Sequence, residues 1–238
     1  MDGIVGSLRL GWEALLFKED AYERMRSARN PVTQALLLII VIGVIVALLG
    51  VIGEVLSWAT TPDLNEIREV VFEYMMRMPW WQEVLRADPA AADAMRQGYE
   101  QGWRFFPMLF GAPNIWGAFL GIIMTPIQLI LYWVIYGLLA YIFARWLGGT
   151  ADLSQTLGVL GLAVMPVALN ALSLLPYVSL GSLVSVWSVL MAYIGLKVAH
   201  KLTWAQAVWV ALLPFILVLA AIAAVACLSS FALAAAIG

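Results

Sequence analysis

Four largely apolar stretches, each free of charged residues, divide the chain: residues 35–52, 115–144, 153–196 and 202–238. The first, eighteen residues long, matches the length of a membrane-crossing helix, and Asn30-Pro31 ahead of it suit an N-cap and a first helical residue. A span is expected over 35–56, with Gly43, Gly50 and Gly53 near one face, where small residues let helices approach. The second stretch, thirty residues, would be about 45 Å as one helix, longer than the hydrocarbon core. Pro126 is expected to break it, leaving 115–124 as an interfacial or re-entrant piece and a span over about 125–145. The third, forty-four residues, is too long for one crossing, and Leu175-Pro176 through Gly181 supply a turn, so spans are expected at 153–175 and 182–199. Pro166 should kink the first of these, and Asn170, one turn later, could help satisfy the freed backbone groups. The last stretch holds a span at 204–228. The pattern predicts an all-α, polytopic membrane helix bundle of five spans, four of them within a membrane domain at 107–238.

The polar segments between these stretches have patterns of their own. In residues 1–34, Val5, Leu8, Trp12, Leu15 and Leu16 recur at helical spacing. They predict an N-terminal amphipathic helix, either on the membrane surface or packed against the chain's own spans. Residues 57–106 carry eight acids and five arginines. Leu64, Ile67, Val71, Tyr74 and Met78 form one helical stripe, ended by Pro79; Asp88-Pro89 opens another, with Met95, Tyr99 and Trp103 in line. A helical cap on the outer membrane face is expected, its methionines and aromatics being core or lipid-facing.

Two short turns are the most informative polar features. Gly148-Gly149 can reverse the chain after Arg145-Trp146, because glycine accepts positive φ. Asp152 with Gln155 then has capping-box spacing, and Thr203 with Gln206 repeats it after Lys197, His200 and Lys201. Gly148, Gly149, Asp152, Gln155, Pro166, Asn170, His200, Lys201, Thr203 and Gln206 are therefore the candidate structural and partner-contact residues. Five basic residues precede Ala35, and Arg145, Lys197 and Lys201 flank the two turns, whereas residues 176–181 have none. The long 57–106 segment counts little in this rule, so the N-terminus is expected in the cytoplasm and the C-terminus outside.

Composition removes several classes of function. The chain is 63% hydrophobic and 12% charged, with mean hydropathy +0.92 and net charge −2, which offers nucleic acid no electrostatic footing. The first apolar run starts too late for a cleaved leader, so the mature chain is expected to begin near Met1. Cys227 is the single cysteine and His200 the single histidine, too few for an internal disulfide or a zinc site. His200, at a helix end among lysines, is expected to be solvated, and His200→Ala and Cys227→Ser to leave folding unchanged. Phosphate-loop, nucleophile-elbow and zinc-protease motifs are absent from the sequence. No catalytic residue, cofactor or metal is expected, and the protein is not expected to be an enzyme. Transport would use spans interrupted at Pro126, Pro166 and Pro214, but the spans hold few polar groups.

Asn30-Pro31, Leu147-Gly148-Gly149, Leu153-Ser154-Gln155 and Gly161-Leu-Ala-Val-Met-Pro166 resemble motifs of a known family. So do Trp187, Gly195-Leu196 and His200-Lys201-Leu202-Thr203. From about residue 30 to 220, apart from 57–106, the chain resembles the Ypt-interacting-protein (Yip) domain family in a bacterial-type version. The resemblance implies five spans, a cytosolic N-terminus, a place in the bacterial cytoplasmic membrane and a non-enzymatic adaptor or scaffold role. Eukaryotic relatives engage small GTPases, but their aspartate-leucine-tyrosine-glycine-proline motif is missing here, so GTPase binding is not carried over. Expected partners are the lipid bilayer and other membrane proteins or a second copy. A small permease or channel, and an accessory subunit docking through its Met- and Trp-rich cap, are the alternatives.

Overall fold

The computed structural model describes residues 4–60, 64–109, 115–174, 178 and 180–237. The described residues form α-helices and one 3₁₀ helix, with no strand among them. Five helical segments are long and apolar enough to cross a membrane: Pro31–Leu56, Phe119–Trp146, Leu153–Leu172, Gly181–His200 and Trp204–Ser229. The expected number of spans is thus met. Most of the turn expected at 175–181 lies outside the described residues.

Two helices, α1 (Ile4–Leu15) and α2 (Glu19–Arg26), occupy the N-terminal segment where one was expected. Phe17 takes a left-handed φ of 58° between them. Gly11, Ala14, Leu15, Ala21, Tyr22 and Met25 are buried against the spans, while Val5, Trp12 and Leu16 point outward. The Tyr22 hydroxyl donates to the Ala14 carbonyl at 3.3 Å and closes the hairpin. Burial pushes the Tyr22 phenol well up, so it remains a donor.

The first span belongs to α3 (Pro31–Thr60), which starts at the expected proline. Next come α4 (Leu64–Met76), α5 (Pro79–Ala87) and α6 (Pro89–Leu109), which pack on one another. Trp81 is buried beneath Phe72, and the Tyr99 hydroxyl donates to the Arg68 carbonyl at 2.8 Å. Helix α5 was not anticipated: Pro79 ends one helix and, with its fixed φ, begins the next. Ile67, Val71 and Tyr74 of the expected stripe are exposed.

The second span corrects an expectation. Helix α7 (Ile115–Trp146) runs unbroken through Pro126, so 115–124 is not a separate piece. A proline removes one helical hydrogen bond, and in a long helix tight packing can hold the rest. That packing comes from Gly43 of α3, where a Cβ would sit 3.0 Å from Pro126 Cα. The fifth span, in α10 (Trp204–Ile237), likewise passes through Pro214 without a break. The Tyr136 hydroxyl donates at 2.9 Å to the carbonyl of Ala211, beside the Val210 carbonyl that Pro214 leaves without its helical donor.

The third span is the interrupted one. Helix α8 (Leu153–Leu162) gives way to a 3₁₀ helix, Met165–Leu174, around the buried Pro166. This is more than the expected kink, and it occurs at the centre of the bundle. Some 61% of the third span is buried, against 17% of the fifth, because α3, α7, α9 (Gly181–His200) and α2 all pack on α8. Glycines permit that closeness. A Cβ on Gly158 would meet Pro31, and one on Gly161 would lie 2.9 Å from Ala35 Cα. Gly121 of α7 does no such packing, since a Cβ there would meet only Thr125 of its own helix at 3.9 Å, and one on Gly50 would meet nothing within 4 Å.

Candidate functional site

The two polar turns, fifty residues apart in sequence, are fastened together at one end of the bundle. At the end of α7, Gly148 adopts φ +88° and the Gly149 amide returns to the Ala144 carbonyl at 2.7 Å. The Arg145 guanidinium donates to the Gly149 carbonyl at 3.1 Å. Asp152 then caps α8, accepting from the Gln155 amide at 2.8 Å, while Gln155 Oε1 accepts from the Asp152 amide at 3.1 Å. At the end of α9, Lys201 takes a left-handed φ of 55° and the Leu202 amide reaches back to Lys197 at 3.1 Å. Thr203 and Gln206 complete a second capping box, with amide contacts of 3.0 and 3.4 Å. Both boxes stand where the sequence placed them.

The bonds between the turns were not legible in the sequence. Gln206 Nε2 donates to the Leu147 carbonyl at 3.0 Å, and the Thr150 amide and hydroxyl reach the His200 carbonyl at 3.3 and 3.4 Å. His200 itself corrects the expectation of a solvated helix end, being fully buried. Its ring lies over Gly149, where a Cβ would come within 2.5 Å of Nδ1, and 6.4 Å from the Tyr141 ring. Nε2 is 2.9 Å from Thr156 Oγ1. The single Thr156 hydroxyl proton goes to the Asp152 carbonyl at 2.7 Å, so Oγ1 accepts and Nε2 carries the imidazole proton. A glycine on the other turn opens the space that the histidine fills. That is why neighbouring lysines in sequence did not predict its surroundings.

The N-terminal helices pack beside the same end, where Glu19 pairs with Lys197 at 3.0 Å and Tyr22 packs against Gly195. Farther along α9, Trp187 Nε1 donates to the Leu15 carbonyl at 3.2 Å. Thr156, Thr150, Glu19 and Tyr22 therefore belong with the candidate residues, although only Thr156, four residues beyond a capping aspartate, offered a hint. Pro166 and the half-buried Asn170 are not part of this cluster, since they lie in the 3₁₀ helix beyond the far end of α8. Among the described residues, no three His, Cys, Asp or Glu side chains converge as metal ligands would. Cys227 is exposed on α10. The arrangement is a rigid fastening of helix ends, built from caps, cross-turn bonds and one buried imidazole.

Five apolar helical segments, the third of them the most buried and interrupted, with capped turns locked at one end, define a multi-pass membrane helix bundle. The family model for the Yip1 domain matches residues 12–225, which includes both turns, the α4–α6 segment and the first four spans. The chain belongs to the Yip1 domain family. No curated protein and no solved structure matches it.

Proposed function

We propose that the chain is a non-enzymatic adaptor or scaffold of the cell membrane, its N-terminus cytoplasmic, and that the fastened end is the surface it offers to another membrane protein or a second copy. The observation that supports this is the cross-turn bonding. Reversal of the chain needs caps, but it does not need one turn bonded to the next and the second tied through Lys197 to Glu19 of the N-terminal hairpin. A surface ordered in advance loses less conformational freedom when a partner binds. Exposed Lys201, Asp20 and Asp152 give that end polar contact points, and Trp146 and Trp204 flank it as interfacial anchors. The cations around the two turns favour the cytoplasmic side for it. A permease has less support, because Pro126 and Pro214 leave their helices continuous. The cavity of about 30 Å³ beside the Pro166 break is lined chiefly by apolar and aromatic groups such as Trp133, Leu160 and Phe215.

Two measurements test the proposal. Reporter fusions after Gly149 and Lys201 should report cytoplasm, and fusions at Gln82 and Gly238 the opposite side; a cytoplasmic Gly238 fusion would reverse the orientation. Affinity purification in mild detergent should lose most of a co-purifying membrane protein with Lys201→Glu plus Asp20→Lys. The same purification should keep it with Arg86→Glu plus Asp93→Lys in the α4–α6 segment. The opposite result would move the docking surface to that segment and make the chain an accessory subunit.

A further inference from the structure

The N-terminal hairpin leaves a cavity of about 200 Å³ against the start of the first span. This is far more than the roughly 10–15 Å³ that a single water requires by the same measure. Its polar lining comes from separate parts of the chain: Arg9 of α1, Arg24 of α2, Arg29 of the following link and Gln34 in the first turn of α3. Leu10 supplies an apolar wall. One carboxylate is shared among these cations, since Glu13 pairs with Arg9 at 3.3 Å and also with Arg24. The acids of α2 face elsewhere: Glu19 pairs with Lys197, Glu23 with Arg26, and Asp20 does not line this cavity. Arg29 is exposed and forms no ion pair among the described residues. Three guanidinium groups against one carboxylate leave an excess of positive charge suited to an oxyanion, which the planar fork of arginine binds with two parallel hydrogen bonds.

Position and shape identify the kind of anion. Gln34 is in the first turn of the segment Pro31–Leu56, so the cavity lies where hydrocarbon gives way to headgroups. Arg9 also belongs to the outward stripe of α1, spaced with Val5, Trp12 and Leu16 at i, i+4, i+7 and i+11. Those three apolar side chains are 80%, 60% and 54% exposed, as are many outward apolar side chains of the spans. A cationic pocket at the head of an apolar stripe matches a molecule with a phosphate at one end and acyl chains at the other. We propose that this cavity binds the phosphate of an anionic phospholipid whose chains lie along Val5, Trp12 and Leu16.

The test uses the full chain in nonionic detergent, titrated with phosphatidylglycerol, phosphatidylcholine or inorganic phosphate, with bound molecules counted by native mass spectrometry. Phosphatidylglycerol should bind tighter than phosphatidylcholine. Arg29→Gln should weaken it about five- to tenfold, the order expected for one basic contact at a membrane surface. Arg9→Gln with Arg29→Gln should weaken it further, and Arg86→Gln in the α4–α6 segment should not. Arg29 is the informative position because it holds no ion pair of the fold, and an unchanged melting midpoint verifies that the variant is intact. Trp12→Ser with Leu16→Ser should reduce lipid binding while leaving any phosphate binding alone. Equal binding of the two lipids, or full phosphatidylglycerol binding by Arg29→Gln, overturns the proposal. Displacement of the lipid by millimolar inorganic phosphate overturns the lipid assignment in favour of the free ion.

Discussion

Gly161→Val should melt at a clearly lower temperature than the native chain, and Gly50→Ala should not. A Cβ on Gly161 would overlap the Ala35 side chain and approach Ala35 Cα to 2.9 Å, so the obstacle includes backbone and cannot rotate away. One turn earlier Pro31 rests on Gly158 in the same manner, so the two helices are in close contact at both positions. Overpacking of this kind typically costs about 1–3 kcal/mol, and the valine adds two further methyl groups beyond that Cβ. At roughly 2–4 °C per kcal/mol for a chain of this size, the midpoint should fall by several degrees, to about ten. A Cβ on Gly50 would meet no side chain and no other helix within 4 Å, and alanine there should be neutral or stabilising by up to about 1 kcal/mol, since glycine weakens helix interiors. Thermal unfolding in detergent, followed by loss of the monodisperse chromatographic peak, reads both. Equal midpoints for the two variants would mean that the α3–α8 contact does not hold the bundle.

The same pair of positions shows what a linear sequence reveals and what it hides. Spans were legible because an apolar run of the right length has few ways to satisfy its backbone other than a helix across the bilayer. Caps were legible because Asp152 with Gln155 and Thr203 with Gln206 act within one turn, so spacing alone carries the chemistry. Contacts between distant segments were not. Gly43, Gly50 and Gly53 looked alike, yet Gly43 meets Pro126 and Gly50 meets nothing. Pro126 and Pro166 looked alike too, and only Pro166 interrupts its helix, because the glycine opposite Pro126 lets the chain pack around it. In the N-terminal segment, α1 presents Gly11 and Ala14 to the spans and Val5 and Trp12 outward. A one-dimensional stripe cannot distinguish these faces when both are apolar.

His200→Ala should lower stability by about 2–4 kcal/mol, contrary to what its place among lysines in the sequence suggests. The ring is fully buried, so its removal leaves an unfilled volume between the two turns. It also removes a donor: Nε2–H bonds Thr156 Oγ1 at 2.9 Å, and Thr156 in turn bonds the carbonyl of the capping residue Asp152 at 2.7 Å. Thr156→Val keeps most of the shape but strands that donor in a buried site, which should cost about 1–3 kcal/mol. If the two residues act through their shared hydrogen bond, the double variant should lose less than the sum of the singles by about 0.5–3 kcal/mol. His200→Gln sharpens the test, because its amide nitrogen can approach the position of Nε2 and preserve the donor to Thr156. It should therefore unfold between the native chain and His200→Ala, and its advantage over alanine should shrink in the Thr156→Val background. Strict additivity of His200→Ala and Thr156→Val, with no advantage for glutamine, would leave the imidazole as filler and remove the hydrogen bond from the account of how the two turns are held together.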